Sequence, residues 1–581
     1  MEIEKRAILS GNEAIARGAY EGGCHVATAY PGTPSTEILE NIAQYREIHS
    51  EWCTNEKVAL EVAIGASFGG ARAIVAMKHV GLNVAADPLF SLSYIGATGG
   101  IIIVSADDPG MHSSQDEQDN RNYAKFSKIP LLEPSDSQEA KDLVLEGFKI
   151  SEEYDTPVLL RSTTRISHSK SIVKLGAREE VPIKSYHKDM LKRVILPAHA
   201  RKRHIFVEER LKSLKKFSER FPYNRIEKGD NSIGIITDSV SYQYAKEIFP
   251  DATILKLTMT WPMPDELIRT FASMVRTIYV IEENDPFIEE YLKIMGIPVV
   301  GKDKIPLCLE LNPYIVGVSL GRIKERKPID KGDIPPRPPA LCPGCPHTGV
   351  FNVIRKLKLI ATGDIGCYTL GALSPLNALD TCVEMGASVG NAYGMQLAMK
   401  DDKNRKKIIG VIGDSTFFHS GITSLINIYY NNGITTIVIL DNRTTAMTGH
   451  QGYPGTGKTL MGIPGREVDL EKFIKGIGIE NVYVVDPYNL KEVTVVMKRE
   501  IERDDLSVII ARAPCALLPD GIKEKPYYVL ADKCTGCKVC LKVGCPAISM
   551  SGNVATINKF FCVGCSLCAQ ICPFDAIKQV N

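Results

Sequence analysis

"KKIIGVIGDSTFFHSGITSLINIYYNNGITTIVILDNRTT", residues 406–445, contains the pattern that decides the fold of this chain. Its two apolar runs, 408–412 and 434–440, have the length and β-branched composition of buried strands. A helical segment between them ends at the turn formed by residues 431–433. Because a right-handed crossover places two such strands side by side in one parallel sheet, the stretch predicts an α/β fold.

Polar residues follow each of these two strands. Asp414 and Ser415 come directly after Gly413, and Asn442 and Thr444 follow the second strand. Because α/β sheets bind ligands at the carboxyl ends of their strands, we expect these residues to lie close together. The Asp414 carboxylate, the Asn442 amide oxygen and the Thr444 carbonyl are hard oxygen ligands, which predicts Mg²⁺ bound with a diphosphate. Alternatively, Asp414 and Asn442 are ordinary polar residues at strand ends.

The pattern resembles the signature of thiamine diphosphate enzymes, in which GDG is followed by NN at a similar distance. This chain has GDS and DN, with 26 residues between Ser415 and Asn442. Ser415 and Asp441 therefore depart from the signature, whereas the expected ligands are present.

A glycine-rich loop, "GYPGTGKT" at residues 452–459, matches the P-loop expression for ATP binding. A P-loop needs a strand directly before it and a helix that starts at its Lys-Thr. Here a loop precedes the motif and "LMGIPG" follows it. We therefore expect this loop to close over a diphosphate rather than to bind ATP.

A thiamine cofactor also needs a carboxylate at its aminopyrimidine ring. "NEKVALEVAIGAS", residues 55–67, places Glu56 at the start of a helix rich in alanine. Burial there would raise the pKa of Glu56 and suit it to hydrogen-bond a ring nitrogen. Glu61 competes for this role, and a solvent-facing glutamate that favours the helix dipole is the alternative for Glu56.

The C-terminal segment contains two similar cysteine runs, each with three cysteines at every third position and a fourth before a proline. In two-cluster bacterial ferredoxins the fourth cysteine of each run serves the other cluster. One extra residue before Cys545 requires a looped-out residue in the first run. Structural zinc and disulfides are the alternatives, and the closely spaced triplets and the lack of a signal peptide disfavour them. The predicted [4Fe–4S] ligands are Cys534, Cys537, Cys540 and Cys572 for cluster 1, and Cys562, Cys565, Cys568 and Cys545 for cluster 2.

The overall composition excludes several classes of function. The 581 residues include 69 Lys and Arg against 68 Asp and Glu, so no net charge favours nucleic acid or a membrane surface. No apolar stretch is long enough to span a bilayer. Sixteen cysteines predict a cytoplasmic, oxygen-sensitive protein of an anaerobic context. The basic segment 201–225 is either a solvated helix or a surface that docks an acidic partner such as ferredoxin.

The order of the motifs along the chain carries a family resemblance. "YPGTPSTE" (30–37), "NEKVALEVAIGAS", "DDPGMHSSQDEQDNR" (107–121) and "CPGCPH" (342–347) precede GDS/DN and the double cysteine run. The set resembles the 2-oxoacid:ferredoxin oxidoreductases over essentially the whole chain. Within that family it most closely resembles the large alpha subunits of the indolepyruvate enzymes.

The resemblance implies thiamine-binding domains of parallel-sheet α/β fold, a smaller α/β domain and a two-cluster ferredoxin-like tail. The expected segments are a pyrimidine-binding domain (1–170), a basic connector (171–230), the smaller α/β domain (231–325), a Pro-rich linker (326–340), a diphosphate- and magnesium-binding domain (341–525) and the ferredoxin-like domain (526–581).

The resemblance also implies roles for single residues. Glu56 would activate the thiamine ring, Asp414, Asn442 and the Thr444 carbonyl would bind Mg²⁺, and Thr33 would contact the 2-oxo acid. Gly413 and Ser415 belong to the cofactor motif. A third cluster near the cofactor is a further hypothesis, and small buried thiols are its alternative. Residues expected to line the substrate mouth are His112, Gln115 and Arg121, and the cysteines for the third cluster are Cys342, Cys345, Cys367 and Cys515.

The activity that the resemblance implies is oxidative decarboxylation of arylpyruvates, such as indolepyruvate and phenylpyruvate, to arylacetyl-CoA and CO₂. The thiamine ylid would attack the ketone, and [4Fe–4S] clusters would pass single electrons to ferredoxin. A smaller beta subunit is implied, in a heterodimer or heterotetramer. Pyruvate or branched-chain substrates, non-oxidative decarboxylation and a non-catalytic electron-transfer subunit are the alternatives. Neither the substrate preference nor a coenzyme A motif is readable from the sequence.

Overall fold

The computed structural model describes residues 5–327, 332, 334–335 and 337–580. The chain divides into two compact units, Met1–Asp330 and Lys331–Asn581. The predicted linker 326–340 lies partly outside the described residues. Within the described ranges, no helix has both the length and the apolar character needed to cross a membrane.

The first unit contains thirteen strands within its described residues: β1 Arg6–Ser10, β2 Val26–Ala29, β3 His49–Trp52, β4 Ala73–Lys78, β5 Ile101–Asp107, β6 Leu131–Leu132, β7 Val158–Thr163, β8 Lys170–Lys174, β9 Arg225–Glu227, β10 Asp230–Asp238, β11 Ala252–Leu257, β12 Met259–Trp261 and β13 Thr277–Ile281.

Its helices, again within the described residues, are α1 Gly11–Glu21, α2 Thr36–Ile42, α3 Glu56–Phe68, α4 His79–Val84, α5 Ala86–Ile95, α6 Arg121–Ser127, α7 Ser137–Tyr154, α8 Thr164–His168, α9 Met190–Arg193, α10 Pro197–Ser218, α11 Ser241–Ile248, α12 Asp265–Met274, α13 Phe287–Ile294 and α14 Pro313–Ser319.

Two main sheets organise these elements. The larger has the strand order β12-β6-β7-β5-β4-β2-β3 and is parallel except for β12. The smaller has the order β13-β10-β11-β9, with β9 antiparallel. Strand β12 follows β11 of the smaller sheet by only one residue and pairs with β6 of the larger. The segment predicted as a separate smaller domain thus contributes one edge strand to the larger sheet.

The strands of the second unit are β14 Ile360–Gly363, β15 Thr381–Cys382, β16 Ile408–Gly413, β17 Thr436–Asp441, β18 Val482–Val485, β19 Ser507–Arg512, β20 Tyr527–Val529, β21 Ile548–Ser551, β22 Val554–Ile557 and β23 Ile577–Gln579. The helices are α15 His347–Leu357, α16 Ala387–Ala398, α17 Asp414–Thr416, α18 Ile422–Tyr430, α19 Leu470–Ile477, α20 Leu490–Ile501 and α21 Leu567–Ile571.

A six-stranded parallel sheet of order β15-β14-β16-β17-β19-β18 forms the core of this unit. Along β17, Ile437 and Ile439 pack into one core while Val438 and Leu440 pack into the other. Both faces of the sheet are therefore buried, which is why the strand reads as a continuous apolar run. Strands β16 and β17 pair in parallel register, so the fold predicted from residues 406–445 is confirmed.

The tail forms two short antiparallel pairs, β20 with β23 and β21 with β22. The third cysteine of each run lies in a short helical element, Cys540 in the 3₁₀ turn Val539–Val543 and Cys568 in helix α21. A small apolar core around Val543, Leu567 and Ile577 holds these pieces together.

Candidate functional site

The carboxyl edge of the six-stranded sheet brings together the residues predicted to bind magnesium. Asp414 and Asn442 follow the neighbouring strands β16 and β17, and both are buried. The Asp414 carboxylate accepts the N–H groups of Ser415 and Arg443, each at 2.8 Å. Thr444 is also buried, and its N–H donates to the Asn442 amide oxygen at 3.4 Å.

Gly413 lets the chain pass close to an aromatic ring at this edge. A Cβ atom at Gly413 would lie 2.5 Å from the ring of Tyr368. A larger residue would therefore displace either the ring or the start of the Asp414 loop, so the close approach requires glycine at this position.

Asp441, which departs from the thiamine signature, adds a second buried carboxylate. Its Oδ2 accepts the Nε–H of Arg512 at 2.6 Å, whereas its Oδ1 is buried without a partner among the described residues. Burial and the charge of Asp441 raise the pKa of Asp414 to about 8. Two adjacent carboxylates with an unpaired oxygen, beside the Asn442 amide, make a set of hard oxygen donors that fits Mg²⁺.

The glycine-rich loop 452–459 reaches this edge through Tyr453. The Tyr453 hydroxyl donates to Asp414 Oδ2 at 2.7 Å. Within the described residues no helix begins at Lys458, and the next one starts only at Leu470. The loop therefore lacks the strand–loop–helix geometry of a P-loop, and its tyrosine packs against a predicted magnesium ligand instead.

His347, the last residue of "CPGCPH", is a site residue to which the sequence assigned no role. Burial lowers the pKa of His347 to about 4, so its ring is neutral at neutral pH. The Asn442 amide N–H donates to His347 Nε2 at 3.4 Å. This contact leaves the Asn442 oxygen available for a cation. The "CPGCPH" motif could have marked His347 as a candidate. Its contact with Asn442 was not predictable, because the two residues are 95 positions apart in the sequence.

Four cysteines from three segments of the second unit group together: Cys342, Cys345, Cys367 and Cys515. Burial and the three neighbouring thiols raise the pKa of the Cys345 thiol. Burial, together with Cys515 and Cys342, raises the pKa of Cys367 to about 11. The Cys515 N–H donates to the Asn442 carbonyl at 2.9 Å, so this group begins directly beside the predicted magnesium ligands.

The eight tail cysteines surround two separate cavities, and each cavity draws three cysteines from one run and one from the other. The second cavity is also lined by Pro343 and Gly344 of the "CPGCPH" turn. The grouping equals the pairing expected from the two-cluster pattern. The first cavity is lined by Cys534, Cys537, Cys540 and Cys572, and the second by Cys545, Cys562, Cys565 and Cys568.

Four thiols around one cavity are the donor set of a four-iron cluster. In the part of the chain that the structure describes, no group of three or more His, Cys, Asp or Glu is spaced to hold a single metal ion. The three-plus-one grouping of thiols around each tail cavity fits the ligand set of a two-cluster ferredoxin.

Glu56 and Glu61 have opposite environments in the first unit. Glu56 begins α3, whose N-cap is the Asn55 side chain, and is 5% exposed. A Cβ atom at Gly81 would lie 2.6 Å from the Glu56 Cγ, so that glycine makes room for the carboxylate. The Glu61 side chain is 46% exposed and pairs with Lys57.

Thr33 lies in the turn after β2, beside the end of the neighbouring strand β4. That strand ends at Lys78, whose Nζ donates to the Ser113 carbonyl at 2.6 Å. The Ser113 hydroxyl in turn donates to the Thr33 carbonyl at 3.4 Å. Burial lowers the pKa of Lys78 to about 8. The position of Lys78 at the end of an apolar strand could have indicated this cation from the sequence. A cationic side chain here suits a ligand that carries a carboxylate.

The three residues expected at the substrate mouth lie in different environments. His112 and Gln115 are exposed, and His112 contacts Glu310 at 3.3 Å. Arg121 is instead fully buried, where it pairs with Asp119, Asp238 and Glu282. The expectation that Arg121 lines an open mouth is wrong, because its guanidinium is committed to buried acids.

Three family models match separate parts of the chain. "Pyruvate flavodoxin/ferredoxin oxidoreductase, thiamine diP-bdg" matches residues 17–210, and "Thiamine pyrophosphate enzyme, C-terminal TPP binding domain" matches 364–511. A "4Fe-4S dicluster domain" matches 527–573. These matches confirm the predicted fold class of thiamine-binding α/β domains and a ferredoxin-like tail.

Curated relatives match nearly the whole chain. The indolepyruvate oxidoreductase subunit IorA of Archaeoglobus fulgidus is 42% identical over 99% of this chain and 98% of its own length. The subunit of the same name from Thermococcus kodakarensis is also 42% identical, over 99% and 97%. The one from Methanothermobacter thermautotrophicus is 39% identical, over 99% and 97%.

Proposed function

The chain belongs to the family of indolepyruvate oxidoreductase IorA subunits, and on that premise we propose that it catalyses ferredoxin-dependent oxidative decarboxylation of arylpyruvates. Its substrates would be indolepyruvate and phenylpyruvate, and its products arylacetyl-CoA and CO₂. The observation that carries the proposal is the contact between Cys515 and Asn442, which places a cysteine group beside the residues proposed to bind Mg²⁺. Electrons released at a bound cofactor would have a thiol-ligated acceptor next to their source.

The residues that would serve the cofactor are those that match the family's motifs. Thiamine diphosphate, when bound, supplies the nucleophilic carbon that attacks the ketone and takes up the electron pair as CO₂ leaves. Asp414, Asn442 and the Thr444 carbonyl would hold Mg²⁺ on its diphosphate. Glu56 would hold the proton shared with the aminopyrimidine nitrogen. Thr33 would contact the 2-oxo acid.

Three cysteine groups would hold [4Fe–4S] clusters, which take and release single electrons. The two groups of the tail follow the two-cluster ferredoxin pattern. The third group, Cys342, Cys345, Cys367 and Cys515, is supported by the closeness of its thiols, which are near enough to interact electrostatically. Pro343 and Gly344, within this third group, also line the second tail cavity. This continuity supports a path from the cofactor into the tail.

The enzyme would act together with other molecules. The family name describes one subunit of an oxidoreductase, which supports a smaller partner subunit in a heterodimer or heterotetramer. Ferredoxin would accept the electrons, and coenzyme A would accept the acyl group.

The alternatives differ in substrate or in class. The same chemistry on pyruvate or branched-chain 2-oxo acids would use the same residues with a different pocket. A non-catalytic electron-transfer subunit would need no acidic residues at the carboxyl edge of the six-stranded sheet. The buried pair Asp414 and Asp441 at that edge argues against it.

We would test the proposal with the chain purified anaerobically with its smaller subunit and supplied with Mg²⁺, thiamine diphosphate and coenzyme A. Viologen reduction would be followed with indolepyruvate, phenylpyruvate, pyruvate and 2-oxoisovalerate. We expect the aryl substrates to react fastest. A preference for pyruvate would overturn the substrate class alone. No reduction with any of them, at full iron content and with bound thiamine, would overturn the enzymatic role.

A further inference from the structure

A concave surface in the second unit lies between α15, α20 and the ferredoxin-like tail. We call it the basic groove, and its volume is about 740 Å³. Four cationic side chains line it: Arg355, Lys356, Lys491 and Lys542. No acidic side chain is among the described residues that line it. The groove therefore presents a field of one sign, which attracts a negatively charged partner.

The three lysines of the groove are free to meet such a partner. Lys356, Lys491 and Lys542 are exposed, and none has an ion-pair partner among the described residues. Val495, on the same surface, is 56% exposed. Unpaired lysines beside an exposed apolar side chain are typical of a surface that another protein covers.

The walls of the groove are held rigidly. The Arg355 guanidinium donates to the Lys542 carbonyl at 2.6 Å and to the Pro375 carbonyl at 2.7 Å. Gln570 of α21 donates to the Tyr488 carbonyl at 2.7 Å and accepts the Leu490 N–H at 3.1 Å. These contacts tie the tail to α15 and α20, so the groove is formed before any partner binds.

Two walls of the groove are shared with the cavity formed by Cys534, Cys537, Cys540 and Cys572. Val539 lines the groove and its neighbour Cys540 lines the cavity. Ile571 and Cys572 divide in the same way. A cluster in that cavity would lie one layer of side chains below the groove. The second tail cavity, by contrast, adjoins the "CPGCPH" turn.

We propose that the basic groove is the docking site of the acidic electron-acceptor protein, a ferredoxin. Electrons would leave the chain here, from the cluster held by Cys540 and Cys572. The inference rests on the proposed function, since it needs electrons delivered to the tail. A small groove with unpaired charges suits a transient redox encounter, which buries little surface and depends on electrostatic steering.

The basic segment 201–225 is a weaker candidate for the same role. Its helix α10 uses much of its charge internally, since Arg203 pairs with Asp155 and Lys215 with Asp265. Lys212 pairs with Glu209 on the same helix. This favours the expectation of a solvated helix over a docking surface.

The test compares the holoenzyme, with its smaller subunit, against a variant that carries Lys356→Glu, Lys491→Glu and Lys542→Glu. Ferredoxin reduction would be measured with an acidic two-cluster ferredoxin, and methyl viologen reduction would normalise each preparation. We expect the KM for ferredoxin to rise about tenfold, and its dependence on ionic strength to weaken, because steering is lost. A control with equal charge change, Lys400→Glu, Lys403→Glu and Lys407→Glu, should keep the normal ferredoxin-to-viologen ratio.

Several outcomes would overturn the proposal that ferredoxin docks in the basic groove. An unchanged KM for ferredoxin in the groove variant, with viologen reduction intact, overturns it and leaves the proposed function standing. Loss of the smaller subunit on copurification would make the groove a subunit interface. An equal rise in KM from Lys559→Glu, beside the exposed Phe560, would move docking to the other end of the tail. If the wild type reduces neither acceptor, the proposed function fails, and this docking site with it.

Discussion

Glu56 and Glu61 stand five residues apart on α3, yet their carboxylates have different surroundings. Glu56 is buried against the start of α4, where Gly81 leaves space for it. Glu61 faces solvent and pairs with Lys57. The buried carboxylate is placed to hydrogen-bond a ligand away from solvent, whereas the exposed one only adds surface charge.

We expect Glu56→Gln to lower kcat for 2-oxo-acid-dependent viologen reduction by about 10²- to 10⁴-fold, the usual contribution of acid–base catalysis. The matched control, Glu61→Gln, should keep wild-type kcat. Steady-state kinetics with measured thiamine and iron contents would separate catalysis from loss of cofactor. Equal losses in both variants would contradict the assignment.

Asp441 shows how a departure from a signature can still serve a site. Replacing the usual asparagine by aspartate adds a charge beside Asp414, and Arg512 pairs with one of its two oxygens. The other oxygen is left without a partner among the described residues. Excess negative charge at a buried edge favours a bound cation, which is consistent with the proposed Mg²⁺.

At the scale of elements, a buried ionic network joins the strand ends of the two sheets in the first unit. Arg161, on β7, donates to Asp107 of β5 and to Glu133, both at 2.6 Å. Arg121, at the start of α6, pairs with Asp238 of β10 and with Glu282 after β13. Because these groups are buried, their charges must be balanced within the network.

Glu283, next to Glu282, is the network member whose titration falls near neutral pH. It is 4% exposed, and burial raises its pKa to about 7 from an ordinary value of 4.5, with a further rise from Glu310. Arg161 and Lys302 oppose this rise. A raised carboxyl pKa means that the folded state binds the proton more tightly. The stability that this carboxyl contributes to the fold is therefore retained at low pH and lost as the pH rises from about 4.5 through 7.

We expect Glu283→Gln to raise the free energy of unfolding at pH 8 by on the order of 1–3 kcal/mol, and so to raise the unfolding temperature. Near pH 5 the variant and the wild type should differ little in stability. Gln keeps the acceptor for the Leu311 N–H and carries no charge. Thermal unfolding followed by circular dichroism at both pH values would measure this. Glu290→Gln, an exposed change nearby, is the control. Parallel pH profiles for Glu283→Gln and the wild type would refute the assignment.

At the scale of the whole molecule, the cysteine groups of the second unit form a continuous series. The group around Cys515 adjoins Asn442, and its turn at Pro343 and Gly344 lines the second tail cavity. The first tail cavity then adjoins the basic groove. The proposed electron source, the proposed clusters and the proposed exit would thus follow one another within the second unit, which suits one-electron transfer.

If the proposed third cluster is present, the chain should contain about twelve iron atoms, from three four-iron clusters. We expect Cys515→Ser to remove about four of them while the tail clusters remain, and to abolish viologen reduction by 2-oxo acids. Iron analysis and electron paramagnetic resonance of the reduced protein would measure the change. Cys382→Ser, an exposed cysteine outside the three groups, should keep all the iron. About eight atoms in the wild type would exclude the third cluster.

The sequence by itself determined the parallel-sheet fold and the grouping of the tail cysteines. Both depend on short-range patterns: continuous apolar runs for strands buried on two faces, and cysteine spacing for cluster ligands. The proximity of Asp414 and Asn442 was predictable for the same reason, since they follow adjacent strands of one crossover.

Only the tertiary structure decided the burial and the contact partners of residues whose surroundings come from distant segments. It buried Glu56 and exposed Glu61, and it committed Arg121 to acids more than a hundred positions away. It also set His347 against Asn442 and assembled the basic groove from α15, α20 and the tail. The physical reason is that burial, charge balance and concave surfaces arise where separate elements pack. No periodicity within one segment encodes which partners those elements will meet.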